Sequence, residues 1–117
     1  RVGSLPSPRK DPILRPSPGG TVLNAIRTHI EELVEEELAP EGLLFADGFD
    51  ECIVGIHWQA FNHETCVIYD RDKMLKKLME DDMTYEDALE DFAFNIAGGY
   101  VGPHTPIYCE FFTDDTE

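Results

Sequence analysis

The chain is poor in cysteine, in basic residues and in long apolar runs. Three cysteines are present in 117 residues, an odd number that cannot be fully paired within one chain. Cys52, Cys66 and Cys109 each lie in apolar, strand-like stretches. They read as buried free thiols of a reducing compartment, not as a disulfide framework. Nine Lys and Arg stand against 24 Asp and Glu, a formal net charge of −15. Phosphate binding is driven by Lys and Arg, so this balance argues against direct nucleic-acid binding by the body of the protein. The longest stretch without a charged side chain runs from Phe92 to Cys109. Gly98, Gly99, Gly102, Pro103 and Pro106 interrupt it, which excludes a membrane helix there. No internal repeat is visible. What is present is 42% hydrophobic residues, enough for one small globular domain.

The charge is unevenly placed. Residues 1–20 carry Arg1, Arg9, Lys10 and Arg15 against Asp11, and five of the eight prolines. This composition reads as a flexible Pro/Ser-rich basic arm. Residues 21–117 carry five basic and 23 acidic residues and read as a single acidic domain. Such a body repels nucleic acid and anionic membrane and is attracted to basic protein surfaces.

Periodicity within residues 21–117 predicts an α+β fold, a small antiparallel sheet of about three strands with about three helices packed on it. Thr21 is placed to cap a helix to about Leu38, with Val22, Leu23, Ile26, Ile30, Leu33 and Val34 on one face. Asp47-Gly48 reads as a turn. Alternation of Cys52, Val54, Ile56 and Trp58 predicts a strand, and Thr65 to Tyr69 a second, joined as a hairpin. Asp70 is positioned to cap a helix to about Glu80. Thr84 and Asp87 have capping-box spacing for a third helix, with Tyr85, Leu89, Phe92 and Ile96 as its apolar stripe. Pro106 to Phe112 reads as the third strand, and Asp114 to Glu117 as a frayed acidic end.

Few residues carry the chemistry of a reaction. His57, His63 and Cys66 are the metal candidates, because a hairpin can bring together residues at its strand ends and turn. Asp70, His104 and Cys109 are more distant options for a fourth ligand. The plainer alternative is an inert core cysteine beside exposed histidines. Cys52 or Cys66 with His57 or His104 offers a thiol–imidazole pair, but no nucleophile elbow accompanies it. Asp47, Asp50 and Glu51 can bind a divalent cation or simply build the turn.

Two blocks point toward protein binding. Glu86, Asp87, Glu90 and Asp91 on the third helix, with Glu31, Glu32 and Glu35 on the first, form rows of carboxylates. Trp58 and Phe61, beside the hairpin turn, suit an exposed contact surface.

Residues 43–108 also carry a recognisable series. It runs Leu44-Phe45-Ala46-Asp47-Gly48-Phe49-Asp50, Tyr69-Asp70 with Asp72-Lys73, Met83-Thr84-Tyr85-Glu86, Phe94-Asn95, Tyr100-Val101-Gly102 and Thr105-Pro106-Ile107. The series resembles a group of short proteins encoded by tailed phages and prophages. Gly99 stands where that group has a small residue such as Ala, and residues 1–20 lie outside the pattern. The resemblance implies a phage-encoded protein in the cytoplasm of a bacterial host, and it carries over no catalytic residue. The expectation is therefore stoichiometric binding to a basic surface of a host or phage protein, with no cofactor. An anti-defence inhibitor that mimics nucleic acid, such as an anti-CRISPR, has this form. The alternatives are a small metal-binding protein or hydrolase using His57, His63 and Cys66, and a virion or assembly component anchored by the arm.

Overall fold

The computed structural model describes residues 14–16, 24–80 and 82–112. In chain order they form β1 (Leu14–Pro16), α1 (Ala25–Glu35), β2 (Leu44–Ala46), a 3-10 turn (Asp50–Cys52), β3 (Ile53–His57) and β4 (Cys66–Asp70). Then follow α2 (Arg71–Met79), α3 (Tyr85–Asp91), a π turn (Phe92–Ala97) and β5 (Ile107–Cys109). The fold is α+β, as the periodicity requires.

Helix starts follow the side-chain oxygens. Asp70 accepts hydrogen bonds from the backbone N–H groups of Asp72 and Lys73, and Thr84 accepts from Asp87 N–H. These are the donors a helix cannot satisfy internally. For α1 the cap is Asn24, which accepts from Arg27 N–H, and not Thr21; Thr21, Val22 and Leu23 lie outside the described residues. The helix ends at Glu35 rather than Leu38. Glu37 turns left-handed (φ 61°), and the Leu38 and Ala39 N–H groups return to the Leu33 carbonyl. Asp47-Gly48 makes the anticipated turn, with Gly48 at φ 87°.

The main sheet has the order β3-β4-β5. β3 and β4 are an antiparallel hairpin, and His57 stands opposite Cys66. The register shifts between Ile53 and Gly55, which turns Val54 outward and breaks the alternation expected from Cys52 to Trp58. β5 pairs with β4 in parallel, so the sheet is mixed and not wholly antiparallel. Its direction follows from the connection: α2, α3 and the π turn carry the chain back to the start of β4 before β5 begins.

α1 packs on β3, α2 on β4 and on the 3-10 turn, and α3 on α2. Ile30, Phe45, Phe49, Ile53, Tyr69, Met74, Leu75, Leu78, Ala88, Phe92 and Ile96 form one continuous core. Ala46 N–H donates to the Tyr69 hydroxyl at 2.7 Å, which ties the β2 segment to the sheet.

One expectation for the arm changes. Leu14–Pro16 is an antiparallel partner of β2, and Leu14 joins the core. A leucine with an apolar site available gains more from burial than from solvation, so this part of the arm is a structural element. The remainder of residues 1–20, and the acidic end 113–117, lie outside the described residues. Among the described residues no helix is long and apolar enough to cross a membrane.

Candidate metal centre

The connection between β3 and β4 is folded twice. Ala60 and His63 exchange backbone hydrogen bonds at 2.9 Å each way, closing a two-residue turn over Phe61 and Asn62. Gln59 N–H donates to Thr65 Oγ1 at 2.9 Å and anchors the base of this loop. The outer hairpin sets His57 opposite Cys66, on one side of the sheet. The inner turn brings His63 back against them. The His57 and His63 rings meet edge to face with centroids 4.7 Å apart.

One ligand atom from each of His57, His63 and Cys66 lies within 4.8 Å of the others. Tetrahedral zinc with Zn–N near 2.0–2.1 Å and Zn–S near 2.3 Å separates its ligand atoms by roughly 3.3–3.7 Å. The separations exceed that spacing by up to roughly 1.1–1.5 Å, a distance on the scale of side-chain rotation.

Both rings are also oriented by one backbone carbonyl. His57 Nδ1 lies 3.2 Å and His63 Nδ1 3.1 Å from the Glu64 carbonyl oxygen. A carbonyl only accepts, so each Nδ1 donates its proton to it. A ligating imidazole whose Nδ1–H is held by a backbone carbonyl presents Nε2 to the metal, the arrangement that orients ligating histidines in metal sites. His104 does the same toward the Thr65 carbonyl at 2.7 Å, but it stands outside the three-residue cluster. Asp70 is spent on capping α2, and Cys109 is likewise outside the cluster. Cys66 is fully buried, His57 half-buried and His63 exposed, so the cluster runs from the interior to the surface.

Cys52 and Cys66 lack the lowered thiol pKa of an activated nucleophile. Burial pushes the Cys66 thiol up. Burial, and secondarily the neighbouring Glu51 carboxylate, push Cys52 up to about 11. A catalytic cysteine needs the opposite shift. The Asp50 and Glu51 carboxylates are engaged in ion pairs. Asp50 accepts from the Arg27 guanidinium at 2.7 Å, and Glu51 pairs with Lys77 at 2.8 Å and raises the Lys77 pKa through that hydrogen bond.

The acidic rows divide. Glu32, Glu35, Glu86 and Glu90 are exposed. Asp87 is half-buried. Asp91, expected on the solvent face, is buried and accepts a 2.6 Å hydrogen bond from the Asn95 amide, four residues on in the widened π turn. Glu31 is also drawn inward, lying 3.5 Å from the buried Arg27. Trp58 is half-exposed, and Phe61 projects fully into solvent from a left-handed backbone (φ 52°).

Arg27 was not among the residues singled out from sequence, since an arginine on a helix is normally solvated. A signal was present in its spacing: it shares a helical face with Ile30 and Val34. Compared with family models, curated proteins and solved structures, the chain finds no match.

Proposed function

We propose that the protein binds a transition-metal ion of the Zn²⁺ class in the β3–β4 hairpin, through His57, His63 and Cys66. The observation that carries this reading is the convergence of the three ligand atoms within 4.8 Å. One thiolate and two imidazoles form a borderline-soft donor set, suited to zinc or copper rather than magnesium or calcium. Elemental analysis of the purified protein and titration with Co²⁺ test it. The expected result is one equivalent of metal and a thiolate-to-cobalt charge-transfer band that Cys66→Ser abolishes. His57→Ala and His63→Ala should each weaken metal binding by at least about 10–100-fold, the loss seen even for supporting residues of such sites. Absence of binding, or equal binding by all three variants, overturns the reading.

A second reading is favoured by the exposure of the carboxylates Glu32, Glu35, Glu86 and Glu90 and, separately, of Trp58 and Phe61. In it, the acidic body binds a basic surface of a host or phage protein in the bacterial cytoplasm, as an anti-defence inhibitor would. Affinity for a protein captured from host extract should fall as salt rises, and Glu86→Lys with Glu90→Lys should weaken it by about 1 kcal/mol per contact at low salt. Binding that ignores both changes excludes that face. The assembly reading draws less support, because Leu14–Pro16 pairs within its own chain.

A further inference from the structure

A groove of about 450 Å³ lies against the hairpin, and His63 belongs both to its wall and to the metal cluster. Resting on the metal reading, we infer that the ion keeps one coordination position open onto this groove, and that the groove takes a small, flat, uncharged molecule with a nitrogen donor. The donor count comes first. Among the described residues no fourth His, Cys, Asp or Glu joins the three, and three protein ligands with an exchangeable fourth position is the arrangement of open zinc sites. Burial bears on the direction. Cys66 closes the inner side of the cluster, and His63, at its solvent side, is the ligand that also borders the groove, so an open position would lie on the groove side.

The walls select the ligand. Tyr100, Tyr108 and Pro103 are among the lining residues, a set of aromatic and apolar side chains that suits a planar ring. Glu64 is among the lining residues, no Lys or Arg lines the groove among the described residues, and the whole chain carries −15. This field disfavours an anionic ligand and leaves a neutral nitrogen heterocycle as the best lone-pair donor.

The experiment uses the full chain loaded with Co²⁺, with imidazole as the probe and azide as the anionic control. Imidazole should shift the visible cobalt bands saturably while the thiolate charge-transfer band stays. Azide should bind at least about tenfold more weakly. Ala97→Trp, a substitution at an exposed position of the groove wall, should weaken imidazole about tenfold without changing cobalt affinity. Cobalt bands that imidazole does not move show a closed site and overturn the inference while the metal reading stands. Absence of the thiolate–cobalt band overturns both. Azide binding as tightly as imidazole overturns the assigned ligand class. Unchanged imidazole affinity in a folded, cobalt-loaded Ala97→Trp protein shows that ligands do not reach the metal through the groove. The wild-type titrations decide the open position even if that variant does not fold.

Discussion

Arg27 joins two segments distant in sequence. Its side chain is buried, its guanidinium donates to Asp50 at 2.7 Å, and it stacks over the Phe45 ring at 4.3 Å from the centroid. Its charge is therefore compensated by a carboxylate and an aromatic face, while α1 is fixed to the β2 turn. Removing one partner of a buried pair leaves the other uncompensated. Arg27→Ala should destabilise the fold by about 2–4 kcal/mol, at the lower part of the range for buried pairs because Asp50 retains some contact with water. Urea unfolding measures this, and a loss under 1 kcal/mol would show that Asp50 and Phe45 are satisfied without the guanidinium. Phe61 illustrates the opposite case. A bulky residue at φ 52° is strained, and its ring, fully exposed, gains no burial that offsets the strain. What its backbone achieves is the two-residue turn that returns His63 to His57.

The elements differ in how legible they were from sequence. α2 and α3 could be placed because Asp70 and Thr84 are local devices, acting on N–H groups two or three residues away. The β3–β4 hairpin was legible from its β-branched strands. The three metal candidates were nameable from their positions on it, but their convergence was not. It depends on the inner turn, and Phe61 is among the last residues sequence reasoning would put at a left-handed position. The parallel course of β5 and the pairing of β1 were hidden because both depend on where the intervening chain returns, which no local pattern states. β1 lies outside the three-stranded sheet, so a protein lacking residues 1–20 should still melt cooperatively. It should lose roughly 2 kcal/mol, the scale of burying one leucine. Circular dichroism of the truncated and full chains compares them; loss of cooperativity would mean that the sheet itself requires β1.

For the whole molecule, stability should decline on the alkaline side, because burial holds Cys52, Tyr69 and Tyr108 in their neutral acid form. Cys52 is raised from about 9 to about 11 by burial and the nearby Glu51. Tyr69 and Tyr108 are raised too, both chiefly by burial. In the unfolded chain these groups ionise at their ordinary values, so between the two sets of values the native state binds more protons. Stability must then fall as pH rises. Their contribution is complete below about pH 9, where both states are protonated, and it is lost as pH climbs through 11 and beyond. Cys52 alone should account for on the order of 1–2 kcal/mol. The net charge acts in the same direction, since an already acidic body repels itself more strongly as further acids ionise. Urea midpoints measured with a reductant at about pH 8, 9.5 and 11 should therefore decrease steadily. Cys52→Ala should start from a lower midpoint, because it leaves a small cavity. It should also show a shallower decline between the first and last values, since the titrating thiol is gone. A midpoint that stays flat across that range, or an identical slope in the variant, would mean that Cys52 reaches solvent readily enough to ionise without unfolding.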